Sequence, residues 1–403
     1  MSKKSIRFIG NLSMNTQKSY ESIIREYEKF HGKDIDELVC EALDEQTKQV
    51  PPHMLTIIDR IENYQRWLVK QDLCRSTIQL KVSKIKTIYK KNRVVLPYLE
   101  ELNANDGRKR EYIQYQDILT KEEIKRALPL MNPTARARTL VMCQGGLSNE
   151  ECEHLTTTSF ITELKRYHKK DDIVEALEWL ADENHPVIWV TKLIRQKTHK
   201  PYYALIGAEA VNSIAEAKLY ERKLKKFNHQ IPEKLLSSNK KSYQNTLKKI
   251  NDDLGYGRVA EERKLRPHML RKFHATNING SSLTYEENSL LSLQEIDEMQ
   301  GRGKTSVQDT YIKTNPVRQK CLYAKVMNNV CFYHEYSFTL TDDDVLLEVV
   351  DMIKEKEKLE RKVKNLELDL QNKKKASEKV KKLRKELGND VFEELINEIL
   401  TAS

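Results

Sequence analysis

Arg266-Pro-His268-Met-Leu-Arg271-Lys-Phe-His274-Ala-Thr276 sets a histidine and an arginine three residues apart at the start of a helical pattern. Residues three apart share a helix face, so His268 and Arg271 can both address one phosphate. An H-x-x-R pair is common by chance, and it gains weight only from a second motif downstream. That motif is Gln300-Gly301-Arg302-Gly303-Lys304-Thr305-Ser306-Val307-Gln308-Asp309-Thr310-Tyr311, a glycine-containing turn that leads into a short amphipathic segment ending in tyrosine. His274, at helical spacing from Leu270 and Arg271, reads as a packed or capping histidine.

Outward from this stretch the pattern is helical. A capping box, Thr120 with Glu123, opens a run of helices near 134–143, 149–155 and 172–180. Two β-rich runs follow, 186–194 and 202–206, joined by the basic turn Arg195-Gln-Lys197-Thr-His-Lys200. Helices resume at 208–227, 242–254, 268–277 and 293–299. Residues 112–336 therefore read as one helix-rich domain with a small hairpin.

The first 105 residues read as a separate helical domain, with helices at 15–30, 54–73 and 76–91. From Arg75 to Arg93 the third carries Arg75, Lys81, Lys84, Lys86, Lys90, Lys91 and Arg93 and no acidic residue. Such a face suits a DNA backbone, the alternative being a solvated basic face. Residues 101–110 read as an exposed linker. Beyond 342, Val345, Val349, Met352, Leu359, Val363, Leu366 and Leu370 follow a three-four spacing interrupted by Lys356 and broken after Leu370, so 342–403 reads as a helical coiled-coil tail, the alternative being a helix packed back on its own domain.

Composition agrees. The 403 residues are 39% hydrophobic and 32% charged, with a formal net charge of +10. A fully disordered or fibrous chain is excluded, and the positive balance points to nucleic acid as partner. Only 12 glycines and 10 prolines favour helix over an all-β architecture. The expected fold class is mainly α with a small antiparallel sheet. No apolar run is long enough for a membrane span or a secretory signal, so a cytoplasmic location is expected. The six cysteines stand at no metal-ligand spacing and are read as reduced core thiols, and Trp67, Trp179 and Trp189 as core.

His268-Met-Leu-Arg271, then Gly301-Arg302 with Tyr311 nine residues on, resembles the signature of the tyrosine recombinase (phage integrase) family. Gly146-Leu-Ser148-Asn-Glu-Glu151-Cys-Glu-His-Leu155 resembles that family's G-L-R-x-x-E-x-x-x-L box, and Lys197 stands where the family has its β-turn lysine. The resemblance covers the basic helical domain and residues 112–336, and leaves out the tail. It implies a site-specific recombinase serving a phage, virus or other mobile element, without ATP, metal or other cofactor. Its partners would be double-stranded DNA at recombination sites and further copies of itself, a tetramer on two duplexes, with an accessory DNA-bending protein as a further candidate.

The implied chemistry follows from the groups. A tyrosine hydroxyl attacking a phosphodiester builds negative charge on the non-bridging oxygens, which Arg271 and Arg302 can stabilise. Lys197 is the candidate general acid for the leaving 5′ oxygen, His268 assists proton movement, and Tyr311 is the nucleophile. One departure stands out: Ser148 occupies the place of the family's first catalytic arginine. Arg136, Arg138 and Arg195 are candidates to replace it. The alternatives are a catalytically impaired DNA-binding protein of the same fold and, less favoured, a type IB topoisomerase.

Overall fold

The structure is a computed structural model that describes residues 4–103, 105–109, 111–183, 185–195, 198–279, 291–302, 315–337, 385 and 388. Lys197, Tyr311 and the expected coiled-coil seam lie outside the described residues. The chain divides into two compact units, 1–114 and 115–403.

Four helices build the first unit: α1 (Met14–His31), α2 (Ile35–Thr47), α3 (Thr56–Lys70) and α4 (Arg75–Lys91). Gly32 ends α1 in the left-handed region at φ 67°, its N–H returning to the Glu28 carbonyl. Helix α2 corrects the three-helix expectation. Its signal is an Asp34 and Glu37 capping box ahead of Ile35, Leu38, Val39 and Ala42, all buried. Tyr27, Tyr64 and Tyr89 meet at the centre, with Tyr27 edge-on to Tyr64 at 4.9 Å and its hydroxyl 3.2 Å from that of Tyr89. Ring pairs of this kind add about 1 kcal/mol beyond their burial.

The expected linker is exposed at Glu101, Asn103, Asn105, Arg108 and Lys109, yet its backbone is paired. Arg108 N donates to the Leu73 carbonyl (2.9 Å) and Arg75 N to the Arg108 carbonyl (3.1 Å), while Leu102 is buried. Gly107, at φ 74°, lies so close to Ile78 and the Leu73 carbonyl that a side chain would collide. Backbone pairing, which composition does not reveal, holds the segment to the α3–α4 connection and the start of α4.

The second unit is organised round α6 (Pro133–Gly145), which packs on α9 (Ala208–Lys223), α11 (Pro267–Asn279) and the hairpin. Asn132 caps α6 by accepting from Ala135 N, and nearly every α6 residue from Thr134 onward is buried, as a central helix requires. Preceding it is α5 (Lys121–Ala127), whose Thr120 and Glu123 form the expected capping box. Helices α7 (Thr157–His168) and α8 (Ile173–Leu180) follow α6; α7 was not anticipated.

Strands β1 (Trp189–Ile194) and β2 (Pro201–Ile206) pair antiparallel, in register from Trp189 with Ile206 to Ile194 with Pro201. Trp189, Thr191 and Leu193 alternate inward, Trp189 edge-on to Phe160 of α7. A second ribbon, β3 (Arg258–Val259) with β4 (Glu262–Arg263), was not expected; it turns through Ala260 and Glu261, both at positive φ as a type I′ turn needs. Helices α10 (Lys240–Asp253), α12 (Leu293–Met299) and α13 (Pro316–Val326), the last not among the expected helices, are the others among the described residues of the unit. The buried carboxylate of Glu209 on α9 accepts backbone N–H groups of Phe332, Tyr333 and His334, fixing the segment after α13.

The fold is thus mainly α with a small antiparallel sheet. Among the described residues no helix is long and apolar enough to cross a membrane, and no group of three or more His, Cys, Asp or Glu could hold a metal. Cys143, Cys152, Cys321 and Cys331 are buried thiols, burial pushing that of Cys152 up to about 12. Cys40 is exposed and Cys74 half-buried, so the core-thiol reading fails for those two. Trp189 is core, whereas Trp179 stacks on His185 at 3.8 Å at the margin.

Candidate active site

Helix α11 opens at Pro267, whose missing N–H costs nothing in a first helical turn. One turn in, Arg271 is buried, its Nη1 donating to Glu151 Oε2 at 3.1 Å and its Nη2 to the Gln300 carbonyl. Burial pushes its guanidinium pKa down, opposed by Glu151 and Tyr202 and reinforced by Arg195 and Arg302. A guanidinium starts so high that it stays charged. Leaving a buried cation unpaired is costly, so Glu151 and the Gln300 carbonyl are what permit Arg271 its position.

The carbonyl is presented by the end of α12. Gly301 N returns to Glu298 O (2.9 Å) and Arg302 N to Asp297 O (2.7 Å), the two bonds of a Schellman motif with Gly301 left-handed at φ 62°. The turn frees the Gln300 carbonyl from the helix ladder, and the negative end of a helix suits cations. Two guanidiniums share it: Arg271, and Arg195 Nη1 at 2.9 Å. Gly301 is required twice, since a Cβ there would also lie 2.7 Å from the Tyr202 ring. Arg302 is exposed and pairs with Asp297 at 3.2 Å.

Behind this turn, Gln300 Nε2 lies 2.9 Å from His274 Nδ1 and 3.3 Å from the Arg271 carbonyl. Burial pushes the His274 pKa down to about 3, with Arg271 adding to it. The neutral ring accepts at Nδ1, which leaves the proton on Nε2. His274 is therefore a packed residue, as its spacing implied. It fills the space under Gly146, the left-handed C-cap of α6 at φ 63°, where a Cβ would meet Nδ1 at 2.4 Å.

Ser148 has a local task. Its Oγ accepts from Glu151 N (3.2 Å) and its own N donates to Glu151 Oε2 (2.7 Å), capping a 3-10 turn at Glu151–His154 where a longer helix was expected. Glu151 Oε2 thus takes both the Ser148 N–H and Arg271.

Of the replacement candidates, Arg138 is fully buried and committed to the Asn149 carbonyl (2.8 Å), the Ser238 carbonyl and Glu153. Arg136 sits in the first turn of α6, at the far end from Gly146, where its charge is felt by Glu216 and Tyr333. Neither reaches Arg271. Arg195 does, through the shared carbonyl.

His268 is exposed on the first turn of α11. Its pKa is pushed below 6.5 by partial burial first, then by Lys272, Arg266 and Arg271, against Glu262. Its imidazole is neutral at pH 7. Arg271, His268 and Arg302 are thus gathered by one helix and one turn, while Lys197 and Tyr311 lie outside the described residues. Sequence reasoning missed the Gln300 carbonyl as the gathering point, because a backbone acceptor leaves no residue-type signal.

In the first unit the basic helix divides. Arg75 Nη2 donates to the Leu102 carbonyl (2.9 Å), Lys81 pairs with Glu26 (2.6 Å), and Lys84 reaches Ser19 Oγ (2.5 Å) beside the Tyr20 ring. Lys86 and Lys90 lie with Gln79, Ser83 and Thr87 along a groove that Glu100 and Glu101 also line. Lys90, Lys91 and Arg93 are exposed. The seven do not form one face.

No protein-family model matches the chain, and no curated protein matches it. Among solved structures it is similar to XerA recombinase, at 14% identity over 82% of this chain and 97% of that one, TM-score 0.30. It is also similar to the XerH site-specific recombinase bound to its difH substrate in a pre-cleavage complex, at 15% identity over 60% of this chain and 64% of that one, TM-score 0.33. The integrase of mycobacterium phage Brujita matches at 12% identity over 84% of this chain and 93% of that one, TM-score 0.30.

Proposed function

We propose that this chain is a site-specific DNA recombinase that cleaves and rejoins strands through a tyrosine linked to a 3′ phosphate, integrating or excising a mobile element. One observation carries the reading. Arg271 of the H-x-x-R stretch is bonded both to Glu151 of the first box and to the residue preceding Gly301-Arg302, so three motifs distant in sequence meet on one buried guanidinium. Chance matches to separate motifs have no reason to converge.

In the proposed reaction, Tyr311 attacks the scissile phosphorus; the new bond joins its oxygen to phosphorus and the bond to the 5′ oxygen breaks. Arg271 and Arg302 stabilise the charge on the non-bridging oxygens in a site that is already organised, so no reorganisation is needed as charge develops. Neutral His268 accepts the tyrosine proton, and Lys197 donates one to the leaving oxygen. The phosphotyrosine retains the bond energy, so religation needs no nucleotide.

The test is trapping on nicked duplexes drawn from DNA flanking the gene, with wild type, Tyr311→Phe and Arg271→Ala. A covalent adduct that survives denaturation, maps to Tyr311 and is lost in both variants supports the proposal. Binding without an adduct favours the alternative that the commitment of Ser148 to its turn suggests, a DNA-binding protein without turnover.

A further inference from the structure

We infer that Arg195 supplies the guanidinium that the first box lacks, gripping the scissile phosphate of DNA together with Arg271. The inference rests on the recombinase reading above. Ser148 has no charge and is occupied as a cap, so beside Arg271 and the exposed Arg302 the site lacks the guanidinium that the first box would bring. Arg195 stands immediately after β1, and its backbone extends the hairpin pairing: its N donates to the Lys200 carbonyl (2.9 Å) and its carbonyl accepts from His199 N (2.7 Å). A side chain leaving a paired strand end has a fixed origin. Its Nη1 reaches the same Gln300 carbonyl as Arg271 Nη2, so the two like-charged groups are held against one acceptor.

The charge balance makes the point sharper. Arg271 is answered by Glu151 and Arg302 by Asp297, and among the described residues no carboxylate pairs with Arg195. Two adjacent guanidiniums repel unless an anion joins them, and a phosphodiester is the anion the proposed reaction brings. One of Arg195's five N–H groups is used at Gln300, and a guanidinium's planar fork suits the remaining donors to phosphate oxygens. The sequence at 148 and the structure at 195 thus describe one relocation, from a loop after α6 to the tip of the hairpin.

The test compares strand cleavage by full-length wild type, Arg195→Ala and Arg195→Lys on two nicked duplexes. One carries an ordinary scissile phosphate, the other a methylphosphonate, in which a methyl replaces a charged non-bridging oxygen. A thermal melt of each variant accompanies the assay. Arg195→Ala should lose about 100- to 1000-fold on the phosphate, the cost of one transition-state donor, and much less on the neutral substrate, where there is less charge to stabilise. Arg195→Lys should fall between, keeping charge and losing the fork. Adding Ser148→Arg to Arg195→Ala should recover cleavage, because position 148 shares Glu151 with Arg271. Wild-type cleavage with an indifferent Arg195→Ala, or a loss equal on both substrates, overturns the assignment of Arg195 alone. A wild type that forms no adduct overturns the recombinase reading, and the assignment with it.

Discussion

Helix α4 of the first unit and the Gln300 turn of the second are both sites of positive charge, built on opposite plans. Helix α4 and its C-terminal edge gather seven basic residues in nineteen consecutive positions. A helix distributes consecutive side chains round its axis, and Lys81 and Lys84 turn toward α1, where Glu26, Ser19 and Tyr20 engage them. Among the described residues the Gln300 turn gathers three arginines, drawn from β1's end, α11 and the residue after Gly301, and brings two of them onto a single oxygen. Density along the chain is therefore a poor guide to density in space. A diffuse basic surface suits sequence-independent attraction to a backbone, whereas convergence suits one phosphate.

The largest effect that separates the two plans is expected at Arg271. Arg271→Ala removes a convergent cation and leaves Glu151 buried without it, a class of change that costs about 3–5 kcal/mol. Thermal melting should show that loss together with abolition of the covalent adduct. A variant that melts like wild type would mean that the Arg271–Glu151 pair does not organise the site.

Next comes the glycine beneath that site. Gly146→Ala forces a Cβ into the left-handed region and onto the buried His274 ring, which Gln300 holds in place. Backbone strain and overpacking together give about 2–5 kcal/mol. Gly32 in the first unit has the same sign of φ, at 67°, with nothing within 4 Å of its Cβ position. Gly32→Ala should therefore cost only the strain, about 1–2 kcal/mol. Equal shifts in denaturation midpoint for the two would show that the His274 contact is slack.

These cases show what was legible in the sequence. Amphipathic spacing located most helices and both strands of the hairpin, because apolar periodicity records which face is buried. It passed over α2, α7 and α13: Asp34 with Glu37, Thr156 accepting from Ser159 N, and Asn315 accepting from Val317 N ahead of Pro316, are the caps that announce them. The identity of Arg271 and Gly301 was legible because a guanidinium and a left-handed turn each demand a residue type. What Gln300 does was not, since any residue has a carbonyl. The fate of Arg138 was equally hidden, for its burial depends on Ser238 and Glu153 arriving from elsewhere.

A smaller effect concerns His268. Its pKa is pushed below 6.5, so the neutral imidazole persists from pH 7 down past the ordinary histidine value. If it accepts the tyrosine proton, cleavage should stay level between pH 8 and pH 6.5 and fall only below, as the ring charges. The same sign governs stability: the unfolded chain takes up this proton first, so the contribution is present above pH 6.5 and lost as pH falls through the folded value. His268→Gln should reduce cleavage about 100-fold and remove that acid limb. An unchanged profile in the variant would take His268 out of the proton path.

The smallest effect returns to α4. If the exposed end of this helix meets DNA, Lys90, Lys91 and Arg93 replace counterions on phosphates, whereas Lys81 is already neutralised by Glu26. Each phosphate contact removed should lower the slope of log affinity against log salt by about 0.9. Lys90→Ala and Lys91→Ala should then each flatten the slope by about that amount and weaken binding several-fold at moderate salt. Lys81→Ala should leave the slope unchanged and cost at most about 1 kcal/mol of stability, as a partly exposed ion pair does. Should Lys81→Ala flatten the slope as much as Lys90→Ala, the Glu26 pair must open on DNA, and the division of α4 into an engaged face and a free face would fail.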